Sequence, residues 1–260
     1  MTEHRLDRIT RDRVHELAAR DAVALVPIAS TEQHSHHLPL GTDALLVDAV
    51  TDRALAGLGD DPEVVRTPTL PFGFSGHHQF AAAISLGPST LLAVLGDILD
   101  SLTLMGFRRI LLVNGHGGNQ EMMSQAIKVH ALANPVLVGA CSYWNLGVDE
   151  AADTGGPGHA GHFETSLMLA AHPHLVGDRA ASPAPAVAPL FDNSPVAGLI
   201  VERHGEWGRV DGLTDSPEAA TTDFGERLLT ARAAGLRAAI SEFARLALPG
   251  AADDTDRSRA

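Results

Sequence analysis

Five residues able to ligate metal crowd into one stretch, Ser30 to Asp43 (STEQHSHHLPLGTD): Glu32, His34, His36, His37 and Asp43. The stretch directly follows Ala22 to Ala29, an apolar run that reads as a buried strand. Carboxylates and imidazoles at the end of a buried strand are costly to desolvate unless a cation compensates them. A divalent metal does so with both ligand types, and mixed oxygen and nitrogen donors suit zinc, manganese or iron. Glu32 and His34 are two apart, so in extended backbone they share one side. Asp43 returns to them only if Pro39-Leu40-Gly41-Thr42 turns the chain. Taken alone, the stretch also fits a histidine-rich surface loop with no ligand role.

Three later segments weigh against that alternative. His77 and His78 lie in a glycine-rich loop that also holds Ser75 (PFGFSGHH), and His116 sits in NGHGGN, directly after the apolar run RILLV. NGHGGN lacks the Lys-Ser/Thr of a phosphate-binding P-loop and the GxGxxG spacing. Gly115 and Gly117, with Gly118 next, instead let the backbone approach a metal or substrate closely. His159 precedes a helical pattern in which Glu164 falls near the buried face, where it needs a metal or an arginine. Glu32, His34, Asp43, His116 and Glu164 make five ligands, more than the three that one catalytic zinc uses. They suit two divalent ions sharing a carboxylate, with Asp43 as the bridge. Such ions would acidify a water and polarise a carbonyl. His159 would then move a proton to the leaving nitrogen, with Glu164 or His36 next in line.

Short apolar strands alternate with helical segments. Strands are expected at 22–29, 64–70, 109–113 and 136–142, with helices at 10–20, 42–58, 91–105, 120–133, 161–171 and 217–246. Thr42 is the expected cap of the second helix. Alternation of this kind implies a parallel sheet covered on both faces, with ligands outside the carboxyl ends of its strands. The four histidine-bearing clusters all fall at that edge. Residues 181–197, with four prolines, read as a long surface loop at a subunit contact, and Leu199 to Arg203 as a short edge strand. Residues 1–248 are read as a single domain and 249–260 as a disordered polar tail.

Composition narrows the function. The 260-residue chain is 45% hydrophobic and carries a net charge of −13, which argues against nucleic acid or an anionic membrane as partner. A single cysteine, Cys141, excludes an internal disulfide, and neither a signal segment nor a membrane span is apparent. A cytoplasmic protein is expected.

With these segments in hand, the chain resembles the creatininase family of metal-dependent amidohydrolases. The resemblance rests on STEQHSHHLPLGTD (30–43), LPFGFSGHHQF (70–80), VNGHGGN (113–119), HAGHFETSLML (159–169) and GRVDGLTDSPEAATTDFGERLL (208–229). It implies an α/β fold: a three-layer α/β/α sandwich with a mainly parallel central sheet, usually assembled as a homohexamer. It also implies a binuclear zinc, manganese or iron centre, with metal positions on Glu32, His34, Asp43 and His116 and the proton-transferring role on His159. Creatininase itself has a metal-binding glutamate two residues after the third-strand histidine. Gly118 stands there in this chain, which makes Glu164 the replacement ligand. Creatininase also covers its substrate with two tryptophans. Trp144 is the candidate for one, whereas Gly155 occupies the position four before His159. The expectation is therefore a small cyclic or non-peptide amide other than creatinine, bound through Ser75, His77, Trp144, Gly117 and Gly118 over two ions, zinc first. A peptidase trimming a cofactor-precursor peptide and a non-catalytic metal-binding member are the alternatives.

Overall fold

The computed structural model describes residues 4–148, 157–186, 188–191, 195–196 and 198–250. Most of the expected tail, and Gly155, lie outside the described residues. The elements run α1 (Arg11–Ala19), β1 (Val23–Ile28), β2 (Thr31–Glu32), α2 (Thr42–Ala56), β3 (Val64–Arg66), β4 (Ala83–Ile84), α3 (Pro88–Leu104), β5 (Arg109–Asn114), α4 (Gln120–Ala133), β6 (Leu137–Ser142), α5 (His162–Ala171), α6 (Glu206–Arg209) and α7 (Thr222–Arg245).

The central sheet has the order β3-β1-β5-β6, and every pair in it is parallel. Its side chains divide by the two-residue period of a strand. Val23 and Leu25 of β1, with Leu111 and Val113 of β5, face an apolar layer built from α2, α5 and α7. Ala24, Val26 and Ile28, with Ile110 and Leu112, face a second layer from α1, α3 and α4. Helices thus cover both faces, giving the three-layer α/β/α arrangement. With both faces dry, β1 is buried along its whole length, which is why it reads as an unbroken apolar run.

Four local readings change. β3 has three residues rather than seven, although Leu70 still bridges Ile28. Thr42 does not cap α2. Gly41 holds the cap position, and the Thr42 hydroxyl donates instead to the Pro39 carbonyl at 2.7 Å. Leu199 to Arg203 forms no strand, and Ile200 stands 88% exposed. A two-stranded antiparallel ribbon, β2 with β4, was not expected, and it pairs Glu32 with Ala83. Among the described residues, no helix is long and apolar enough to cross a membrane.

Candidate metal centre and cavity

The carboxyl ends of β1, β5 and β6 set the site. β1 is followed by β2, which carries Glu32, and then by an irregular turn that brings in His34. Asp43 enters from the first turn of α2, and Gly115 donates its N–H to the Ile28 carbonyl at 2.7 Å, starting the turn to His116. Asn114 and Asn119 bracket that turn. The Asn114 Oδ1 accepts the His116 N–H at 3.0 Å, and the Asn119 Oδ1 accepts the Phe74 N–H at 3.0 Å. Gly118 has no room for a side chain. A Cβ there would overlap the Phe74 carbonyl oxygen and lie 2.6 Å from the His116 Nε2. A glutamate ligand at this position is therefore sterically closed to this backbone.

Glu164 reaches the same place from the first turn of α5, and His159 from the turn just before it. That turn is held by residues more than fifty positions away. Thr214 Oγ1 accepts the His159 N–H at 2.6 Å, and Asp215 Oδ1 accepts the His162 N–H at 2.6 Å. Asp215 thereby caps α5, whose own cap residue, Gly161, has no side chain to offer. Ala160, at φ +55°, donates its N–H to Glu164 Oε2 at 2.6 Å. Replacing Asp215 with alanine should cost about 1–2 kcal/mol of stability, as loss of an N-cap does. Activity should fall too, because the same turn carries His159 and leads into the first turn of α5, which carries Glu164. Asp215→Asn, which keeps an acceptor, should restore most of both. Urea unfolding and kcat measured on the two variants check this, and an unaffected Asp215→Ala would refute it.

Glu32, His34, Asp43, His116, His159 and Glu164 are all buried and converge. Asp43 lies between two histidines: its Oδ1 is 3.1 Å from His34 Nε2, and its Oδ2 is 3.2 Å from His116 Nδ1. His116 Nδ1 is also 3.2 Å from Glu32 Oε1, and His34 Nε2 is 3.7 Å from Glu164 Oε2. Two sets of three donors share Asp43, namely Glu32, Asp43, His116 and His34, Asp43, Glu164. A third set joins Glu32, His34 and His159. His159 Nδ1 is 3.6 Å from Glu32 Oε1.

The outer nitrogens of these three rings are tied to carbonyls. His34 Nδ1 lies 3.1 Å from the Glu32 carbonyl, His116 Nε2 2.9 Å from that of Phe74, and His159 Nε2 2.8 Å from that of Gln33. A carbonyl only accepts, so each outer nitrogen carries a proton, and each inner one is left facing the carboxylates, free to offer a lone pair once a cation replaces any proton there. Metal-binding histidines are oriented in this way. Four buried atoms in the cluster have no hydrogen-bond partner: both oxygens of Glu32, His34 Nε2 and Asp43 Oδ2. Three carboxylate oxygens and one imidazole nitrogen, all buried and all able to offer a lone pair, fit a divalent cation.

Electrostatics point the same way. Burial opposes charge on His34, yet Asp43, Glu164 and Glu32 override it and hold its pKa at about 9. Burial likewise opposes charge on His116, and Glu32 with Asp43 raises it well above the usual imidazole range. Without a cation, protons take its place on these rings, so metal entry must expel them. Burial, reinforced by His34 and His78, pushes His159 well below the usual range and keeps it neutral. Burial lifts Glu164 to about 7.

A cavity of about 540 Å³ opens over the cluster. Of the expected substrate contacts, His77, Trp144, Gly117 and Gly118 line it. Ser75 does not. It is fully buried behind His116, 3.3 Å from His116 Nε2 and hydrogen-bonded to Ser30, so it props the ring. His36 faces outward, paired with Asp211. His78 joins the site, 3.4 Å from Glu32 Oε1 and stacked on His159 at 4.2 Å. Trp207 and Phe191 were missed by sequence reasoning. Trp207 packs on His77, His78 and His159 and stacks on Phe191 at 4.2 Å. The available signal for Trp207 was its rarity, since the chain has two tryptophans. Phe191 comes from the proline-rich loop that was read as a subunit contact.

The sequence model of the creatininase family, described as creatinine amidohydrolase, matches residues 7–240. The chain belongs to the creatininase family. Among curated creatininase-family proteins, it is 32% identical over 248 residues to the creatinine amidohydrolase of Pseudomonas putida, covering 87% of this chain and 91% of that one. It is also 32% identical over 230 residues to the mycofactocin precursor peptide peptidase of Mycobacterium tuberculosis, with 83% of each chain covered. A creatininase variant solved in a zinc–zinc form superimposes with a TM-score of 0.79 at 28% identity, over 95% of this chain and all of that one. Creatininase-family membership agrees with the fold described above.

Proposed function

We propose that the protein is a divalent-metal-dependent amidohydrolase that cleaves a C–N bond of a small, non-peptide amide. One observation carries the reading: each carboxylate oxygen of Asp43 faces a different histidine, which divides five ligands into two sets around a shared residue. Glu32, Asp43 and His116 would hold one ion, and His34, Asp43 and Glu164 the other, with zinc favoured over manganese or iron. The chemistry such ions supply is polarisation of a carbonyl oxygen and acidification of water. The chain's own groups do the rest. The Gln33 carbonyl fixes the tautomer of His159 and frees its Nδ1 to take a proton and pass it to the leaving nitrogen. Trp144, Phe191 and Trp207 wall the cavity and exclude water around the amide, and its volume lies within the range of small-molecule sites.

A peptidase is the second reading, supported by the equal identity to the peptide-trimming relative. We further propose a single domain over 1–248, assembled as a homohexamer in the cytoplasm. Gently purified protein should carry about two divalent ions per chain and release ammonia or amine from some member of a small-amide panel. At most one ion after reconstitution would sink the shared site. Two ions with hydrolysis of peptides alone would favour the peptidase, and two ions with no hydrolysis a metal-binding role.

A further inference from the structure

Beyond the ligand cluster, the walls of the cavity have a composition that the chemistry of hydrolysis does not demand. Four aromatic rings line it, those of Phe74, Trp144, Phe191 and Trp207. Two exposed carboxylates, Glu121 and Glu202, line it as well and belong to neither ligand set. Among the described residues, no lysine or arginine lines it. Away from the ligand cluster, an anionic group on a substrate would find no lysine or arginine and would face two carboxylates. A cationic group would find both carboxylates and the negative faces of aromatic rings, whose attraction for a cation grows as water is excluded. Trp207 is stacked and partly buried, so its ring face is held in place rather than free to turn away.

We infer that the site selects amides bearing a positively charged group, an ammonium or guanidinium, with the amide directed to the ligand cluster and the cation to Glu121, Glu202 and the aromatic walls. Glu121 and Glu202 are then specificity residues. The inference rests on the amidohydrolase reading for the placement of the amide but concerns recognition, which can be measured without turnover.

The chain offers a direct probe, because both of its tryptophans line this cavity. Full-length protein is titrated with three amides of matched length, 4-aminobutanamide, pentanamide and succinamate, and tryptophan fluorescence is followed. We expect 4-aminobutanamide to bind about tenfold more tightly than pentanamide, the size of one partly desolvated cation–π and charge contact. Succinamate should bind most weakly. The double variant Glu121→Gln, Glu202→Gln should lose most of the preference while its bound-metal content stays unchanged. Equal binding of the three probes, tighter binding of succinamate, no response to 4-aminobutanamide, or an undiminished preference in the double variant would each overturn the inference. Ammonia release by the metal-loaded protein separates it from the reading beneath it. A cation preference without any hydrolysis leaves the recognition standing and removes the amidohydrolase, and hydrolysis without a preference does the reverse.

Discussion

Replacing Asp43 with alanine should leave the protein without either metal ion and without activity, while Glu164→Gln should keep about one ion of the two. The difference follows from position. Asp43 presents one oxygen to His34 and the other to His116, so both ligand sets lose a member at once. Glu164 belongs to one set alone, with its Oε2 3.7 Å from His34 Nε2. The fold should survive the Asp43 change, since α2 loses one acidic side chain from its first turn, a matter of about 0.3–1 kcal/mol. Metal analysis and circular dichroism on the same preparations decide the matter. Two retained ions in Asp43→Ala would show that the carboxylate is not shared. Unchanged occupancy and activity in Glu164→Gln would show that it does not stand in for the ligand that Gly118 cannot carry.

The second large effect is expected at His159. Alanine there should lower kcat by roughly 10²–10⁴-fold, the usual contribution of a positioned proton carrier, while both ions remain bound. Its Nε2 is committed to the Gln33 carbonyl, and its Nδ1 looks into the cavity beside Glu32. His159 also falls within ligand distance of Glu32 and His34, so the same variant tests the competing role. Loss of an ion together with activity would make it a ligand rather than a proton carrier. His162 provides the internal control. Its ring stacks on Phe224 at 4.5 Å, away from the cavity, and His162→Ala should change kcat little.

The long elements were legible because their apolar periods are unambiguous. β1 and β5 are continuous aliphatic runs, and α4 falls on the expected residues from Gln120 to Ala133. The β2–β4 ribbon was not legible, since strands of two residues have no period to detect. Leu199 to Arg203 misled because aliphatic residues in a row imply a strand only where a partner edge exists, and among the described residues no strand pairs with Ile200, which stands exposed. In the site, Glu32, His34, Asp43, His116 and Glu164 were suggested by residue type, and the structure brings them together. Trp207 and Asp215 could not be found that way. A tryptophan in a four-residue helix and an aspartate capping a helix 53 residues away act through tertiary placement, which no local spacing encodes.

The ties between the three imidazoles and the main chain bear on how such a protein diversifies. Glu32, Gln33 and Phe74 steer the rings with peptide oxygens, which every amino acid possesses. A point mutation at Gln33 or Phe74 therefore changes a side chain without deleting the acceptor that aims the ring. The walls are different, because Trp144, Phe191, Glu202 and Trp207 act through their side chains and sit on loops or very short helices. The aim of the rings is thus inherited with the backbone, whereas the lining of the cavity is written in replaceable letters, so the walls can be rewritten one residue at a time while the imidazoles stay pointed.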